Sequence, residues 1–280
     1  MKFVDFNNNK SDKEQLARIA AGVMVIRGLE PEFSFQVHEQ LHQISGPASS
    51  RDNSILDLRS LPWCSIDNDD SKDLDQITVT KKSAGKDWVL LVAIADVDAI
   101  VKIGTAIDEH ALINTRSVYT SARIFPMLPL RLSNNLSSLN PGQDRLALVC
   151  EMHISEDGVV KKSFVYRSWV HNRAQLAYDN VSDWLEGKAQ LPQVAQQVSG
   201  LDAQLRKQDQ LAQVLRLRRH EHGSLEFEIF QPRASFSQNS IRNIQQQPHN
   251  RARQLIEEFM IATNGCTSQF LADAGIYSIR

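Results

Sequence analysis

The stretch Ile66-Asp67-Asn68-Asp69-Asp70-Ser71-Lys72-Asp73-Leu74-Asp75-Gln76 places five aspartates within nine positions. It follows an apolar run, Leu61-Pro62-Trp63-Cys64-Ser65-Ile66, and leads into a β-rich segment at 76–80. Carboxylates crowded in this way repel one another. A hard divalent cation relieves that repulsion, and Mg²⁺ favours carboxylate oxygens in an octahedral shell. Such an ion can activate a water and offset charge on a phosphate under attack. The cluster therefore points to a metal-assisted phosphodiester hydrolase, with a solvated acidic loop as the plain alternative. A calcium loop fails on spacing. Asp67, Asp69 and Ser71 fit its first, third and fifth positions, but Lys72 stands where the turn glycine belongs and Thr78 where the bidentate glutamate belongs.

Working outward, residues 76–80 and 88–94 form β-rich runs about a turn near 83–87, which predicts a hairpin. Residues 146–154 and 159–165 flank Gly158 as a second hairpin. Val194, Val198, Leu201, Leu205 and Leu215 form a helical stripe over 194–219. Residues 225–229 read as a strand. Residues 250–274 read as a helix, with Leu255, Ile256, Phe259 and Met260 apolar and Gly275 at the end. Towards the N-terminus, Ser11-Asp12-Lys13-Glu14 has capping-box form ahead of Leu16, Ile19, Val23 and Ile26. Phe35, Val37, Leu41 and Ile44 predict a second short helix, and residues 46–54 a linker. Strands followed by long helices predict an α+β domain. The division is a small helical segment with linker at 1–55 and a main domain at 56–280. The strand-like run 275–280, with no polar tail, predicts that the chain stops inside that domain.

Composition is globular, 42% hydrophobic and 23% charged, with no apolar run long enough to span a membrane and no N-terminal h-region. Cys64, Cys150 and Cys266 are scattered, without a C-x-x-C pair, which argues against a zinc site or disulfides and for a cytoplasmic protein. His220 and His222 lack a ligand-spaced partner and read as structural or solvent-facing. The formal charge of −2 argues against a passive nucleic-acid coat but allows a local basic channel beside an acidic site. Arg216, Arg218, Arg219, Arg251 and Arg253 are candidates for such a channel, or equally for the solvated faces of two helices.

Ser65-Ile66-Asp67 followed by Lys72-Asp73-Leu74-Asp75 resembles the signature of the ribonuclease II/ribonuclease R (RNB) family, I-D, five residues, D-x-D-D. Asp67, Asp73 and Asp75 match its first three acids, and Gln76 replaces the fourth. Ala93-Ile94-Ala95-Asp96-Val97 resembles the family's H-I-A-D-V strand. The segments Phe125-Pro126-Met127-Leu128-Pro129, Leu136-Ser137-Ser138-Leu139-Asn140-Pro141-Gly142, Tyr178-Asp179-Asn180-Val181 and Leu255-Ile256-Glu257-Glu258-Phe259-Met260 follow in family order. The resemblance covers about 56–280.

It implies an RNB-type catalytic domain, a mostly antiparallel sheet packed by long helices, preceded here by the small helical segment as in shorter bacterial members. It implies a hydrolytic 3′→5′ exoribonuclease that degrades single-stranded RNA to nucleoside 5′-monophosphates, with no DNA and no membrane as partner. Asp67, Asp73 and Asp75 become the catalytic acids. Asp67, Asp75 and Gln76 become the ligands of Mg²⁺, or of Mn²⁺ in its place. Tyr178 matches a tyrosine that packs on the 3′-terminal base, Phe227 its stacking partner, Tyr119 a tyrosine near the cleaved end, and Glu258, or alternatively Glu257, a sugar-contacting carboxylate. Stacking suits an enzyme that moves along any RNA, since every base has a π-face. The family's S-P-I-R-x-Y segment would lie beyond Arg280. Two rivals follow: a weak or inactive RNA-binding relative, motivated by Gln76, and a scaffold whose acidic loop only binds a cation.

Overall fold

The computed structural model describes residues 11–50, 52, 54–82, 87–225, 232–237, 240–246 and 250–278. In chain order these form α1 (Asp12–Ile26), α2 (Phe35–Gln43), β1 (Leu56–Asp57), β2 (Trp63–Asp67), β3 (Gln76–Lys82), β4 (Trp88–Ala95) and α3 (Ala106–Asn114). There follow β5 (Val118–Tyr119), β6 (Ile124–Phe125), β7 (Asp144–Ile154), β8 (Val160–Ala177), α4 (Tyr178–Leu185) and α5 (Gln193–Gln196). The last elements are α6 (Leu201–Glu221), β9 (Pro232–Ser237), β10 (Ser240–Gln246) and α7 (Arg251–Asp273).

The chain divides into two compact units. The smaller holds α1, α2, α3 and the short pairs β5–β6 and β9–β10. Its first helix starts as the sequence predicts: the Ser11 side chain accepts from the Glu14 N–H while the Glu14 carboxylate accepts from the Ser11 N–H. Its centre is a polar knot. Asn114 holds both backbone groups of Glu30, accepting from its N–H and donating to its C=O, each at 2.8 Å. His110, buried against Phe33, sits 3.0 Å from the Glu30 carboxylate.

The larger unit is built on a sheet that closes on itself. β2, β3, β4 and β7 neighbour one another in that order, and the 18-residue β8 joins both ends. The first part of β8 pairs antiparallel with β7, from Ile154↔Val160 to Asp144↔His171. Its second part pairs parallel with β2, from Trp63↔Asn172 to Asp67↔Ala177. Strand alternation then sorts the side chains into two cores. Ile77, Val79, Val89, Leu91, Ala93, Ala147 and Val149 gather with Trp63, Leu74 and Leu139 on one face. Ile66, Leu90, Val92 and Met152 face the other way and pack under Leu201, Leu205, Leu211, Leu255 and Phe259 of α6 and α7. This is a mixed α+β fold with an antiparallel-dominated sheet, as the sequence predicts.

Both predicted hairpins form. β8, however, runs to Ala177, well past the predicted stop near 165. The predicted helix over 194–219 is broken: the short α5 stops at Gln196, and Gly200, at φ 75°, caps the start of the 21-residue α6. Residues 276–278 join no strand, and Tyr277 is fully exposed. Of the strand expected at 225–229, Leu225 lies in no element and the rest falls outside the described residues. The β7–β8 turn rests on Gly158, at φ 81°, where an added Cβ would meet Val214 Cγ1 at 3.0 Å and the Val214 carbonyl at 3.3 Å. A left-handed backbone costs a non-glycine residue about 1–2 kcal/mol. Gly158→Ala should therefore lower the melting temperature by roughly 4–8 °C for ~2 kcal/mol. An unchanged melting curve would show that the turn relaxes freely.

Candidate active site

The acidic loop hangs between two strands of the larger unit. Asp67 is the last residue of β2 and Asp75 the residue before β3. Between them the chain turns back, with the Ser71 N–H on the Asn68 carbonyl at 3.2 Å. Leu74 is 1% exposed and anchors the loop in the sheet core. Its N–H donates to Ser138 Oγ at 2.9 Å, its carbonyl accepts from the Leu139 N–H at 2.8 Å, and Ser138 Oγ donates to the Lys72 carbonyl. Gln175 of β8 donates to the Ser71 carbonyl at 3.0 Å. The segment Ser137-Ser138-Leu139-Asn140 thus buttresses the acids, a role its turn-like sequence did not disclose.

The carboxylates are held in tension. Burial pushes the Asp67 carboxyl up from the ordinary range, and the charge of Asp73 adds to this. The Asn68 N–H, at 2.7 Å, and Ser71 work the other way. Asp75 keeps access to solvent, yet protein crowds round its carboxyl. Burial, then the charge of Asp67 and after it that of Asp73, push it up to about 6. Asp73 accepts from Ser71 Oγ at 3.3 Å. Asp69 and Asp70 are exposed. Among the described residues no three His, Cys, Asp or Glu side chains converge on one ion position. Gln76 is buried, and its Oε1 has no hydrogen-bond partner among the described residues. It shares the α6-facing side of β3 with Thr78 and Thr80, which bond Gln208 and Gln204, and Gln208 Nε2 is also unpaired.

Tyr178 opens α4 directly after β8 and packs against the helix-side core. Burial and then the charge of Asp67 raise its phenol to about 12. The Arg253 guanidinium lies over its ring, 4.4 Å from the centroid. Arg253 Nη2 donates to Asn68 Oδ1 at 2.6 Å. Asn250, which caps α7 through the Arg253 N–H, also donates to Asp179 at 2.7 Å. The structure therefore brings Asp67, Asp73, Asp75 and Tyr178 together and adds Asn68 and Arg253.

The other expected residues fare differently. Glu258 is buried, and both its oxygens are taken by Arg219, at 2.6–3.2 Å, in an ion pair between α6 and α7. Arg251 is held by both oxygens of Asp209 at 2.7 Å, and Arg218 lies 3.8 Å from Asp157. Of the five arginines expected to line a channel or a solvated helix face, Arg219 and Arg251 are thus engaged in ion pairs between α6 and α7. Tyr119 lies on β5 of the smaller unit, 64% exposed. Phe227 falls outside the described residues. Asp96, in the segment resembling H-I-A-D-V, is buried, caps a 3₁₀ turn through the Ala99 N–H and pairs with Arg167 at 2.7 Å.

Comparison with known proteins gives one consistent result. A family model described as the RNB domain matches residues 55–280. Ribonuclease R of Vibrio cholerae is 34% identical over 270 residues, 90% of this chain and 32% of that protein. Ribonuclease R of Escherichia coli is 37% identical over 220 residues, 78% of this chain and 27% of that protein. The chain spans about a third of the length of these relatives. Among solved structures, Mycoplasma genitalium RNase R in complex with double-stranded RNA superposes with a TM-score of 0.84 at 25% identity, covering 95% of this chain and 46% of that one.

Proposed function

Because the chain belongs to the RNB domain family, we propose that it carries the active site of a Mg²⁺-dependent hydrolytic 3′→5′ exoribonuclease, one that releases nucleoside 5′-monophosphates from single-stranded RNA. Residues 56–280 are its catalytic portion and 1–55 a helical segment ahead of it. The observation that carries the reading is the pair Asp67 and Asp75, two carboxylates forced together and pushed towards protonation beside an aromatic ring. That donor set fits a hard divalent ion. Asp67 and Asp75 would hold it, with the unpaired Gln76 Oε1 as a neutral donor and Asp73 orienting the loop. When bound, Mg²⁺ or Mn²⁺ would supply positive charge to the scissile phosphate and favour ionisation of a water. Tyr178 seats the terminal base by stacking, which tolerates any base. No helix among the described residues is long and apolar enough to cross a membrane. The three free, buried thiols fit a reducing cytoplasm.

The test is 5′-labelled single-stranded RNA incubated with the chain and Mg²⁺, alone and with EDTA. A ladder shrinking from the 3′ end, absent with EDTA, supports the reading. RNA bound without Mg²⁺ and never shortened would favour the second reading, an RNA-binding relative without turnover, for which Gln76 in place of a fourth acid speaks.

Metal binding should also be linked to pH. The Asp75 carboxyl, held near 6, must lose its proton to take a cation. Calorimetric affinity for Mn²⁺ should be flat above about pH 7 and fall roughly tenfold per unit below about 6. An affinity independent of pH between 5 and 8 would remove Asp75 from the ligand set.

A further inference from the structure

The ring assigned to the terminal base is already covered. Tyr178 packs against the core, and the Arg253 guanidinium stands over the ring at 4.4 Å. A base can stack there only after the guanidinium moves. Its present position is secured by that stack and by the 2.6 Å bond to Asn68 Oδ1. It is also incomplete: Arg253 Nε is buried and has no hydrogen-bond partner among the described residues. A buried, unpaired N–H of a charged group is costly, so this arrangement is poised to be exchanged. Asn68 follows Asp67 and donates its N–H to that carboxylate, so the arginine's charge stands beside the acid cluster. Arg253 lies in the first turn of the 23-residue α7, where the helix terminus also favours an anion. A guanidinium can grip phosphate oxygens with two parallel N–H groups.

We propose that Arg253 is a positioning residue that changes partner with substrate: without RNA it covers Tyr178 and balances Asp67, and with RNA it yields the ring to the 3′-terminal base and takes that nucleotide's phosphate. This rests on the exoribonuclease reading of the site. It gives the carboxylates a stand-in cation before substrate arrives. It also ties loading of the 3′ end to exposure of the acids, since the charge beside Asp67 leaves when the base arrives.

The experiment compares the whole chain with Arg253→Gln and Arg253→Lys, using 5′-labelled oligoadenylate. RNA affinity is measured in EDTA across a salt series, Mn²⁺ affinity without RNA, and KM and kcat with Mg²⁺. Arg253→Gln should bind RNA about tenfold more weakly and raise KM more than it lowers kcat. Its slope of log affinity against log salt should be shallower by about 0.7, one phosphate contact on a single strand. Without RNA it should bind Mn²⁺ more tightly than the parent, because a competing cation is gone. Arg253→Lys keeps the charge and guards against a folding failure of the first variant: it should keep the slope yet lose several-fold in affinity. An Arg253→Gln protein with unchanged RNA affinity and salt slope would overturn the proposal and make the residue a clamp between α7 and α4. If the parent chain itself fails to bind the RNA, the exoribonuclease reading falls with it. Parent binding with an unaffected variant removes this proposal alone.

Discussion

Asp75→Asn is expected to lower RNA cleavage by about 10³-fold while leaving RNA affinity within about twofold. A cation that supplies several kcal/mol of transition-state stabilisation, at 1.36 kcal/mol per tenfold, accounts for that size once a charged ligand is lost. The same change is expected to raise the melting temperature of the metal-free protein at pH 7. The carboxyl is pushed up in the folded state, so its ionised form opposes folding. Its contribution to stability is full below the unfolded value near 4 and is lost as pH rises through about 6. Asparagine cannot ionise, so the stabilisation should appear between pH 4 and 6, stay level above, and vanish below 4. Melting curves in EDTA across that range, set beside single-turnover cleavage, check both halves. Loss of RNA binding together with cleavage would mean that Asp75 shapes the RNA seat and is not a metal ligand.

Arg219→Ala is expected to cost about 3–5 kcal/mol of folding stability, the range for removing one partner of a buried ion pair. Glu258 is 4% exposed and accepts three hydrogen bonds from Arg219, so the substitution strands its charge between α6 and α7. Glu258→Gln should cost less, because the Arg219 side chain is 23% exposed and can turn to water. Urea unfolding midpoints decide the order. They also separate the two accounts of Glu258. A sugar contact predicts a raised KM with little change in stability, whereas the ion pair predicts the reverse.

How much of this could be read in advance depended on whether the signal was local. The capping box at Ser11 and Glu14, the two hairpins and α7 follow from spacing within a few residues, and all are present. The continuation of β8 hides because its buried face carries Ser168 and Asn172 among apolar residues. Those side chains draw on distant partners, the Leu56 carbonyl for one and Ser65 and Leu139 for the other. The closing of the sheet is equally non-local, since one strand has to serve two neighbours at different points of its length. At the site, the acids could be located from their crowding and from family resemblance. Their surroundings could not. Ser138 lies 66 residues from Lys72, Arg253 lies 185 from Asn68, and no periodicity links them. Glu258 matched a motif, but its occupation was set by Arg219, 39 residues earlier on another helix.

The closed sheet has one thin joint. Every other neighbouring pair of its five main strands is laced by a run of residues, whereas β2 and β3 meet only at Cys64↔Thr78. The acidic loop crosses that gap, with Asp67 at the end of one strand and Asp75 at the start of the other. An ion gripped by both would act as a rivet through the wall at its weakest point. The site would then stiffen the framework that shapes it, and loading the metal would be a mechanical event as much as a chemical one.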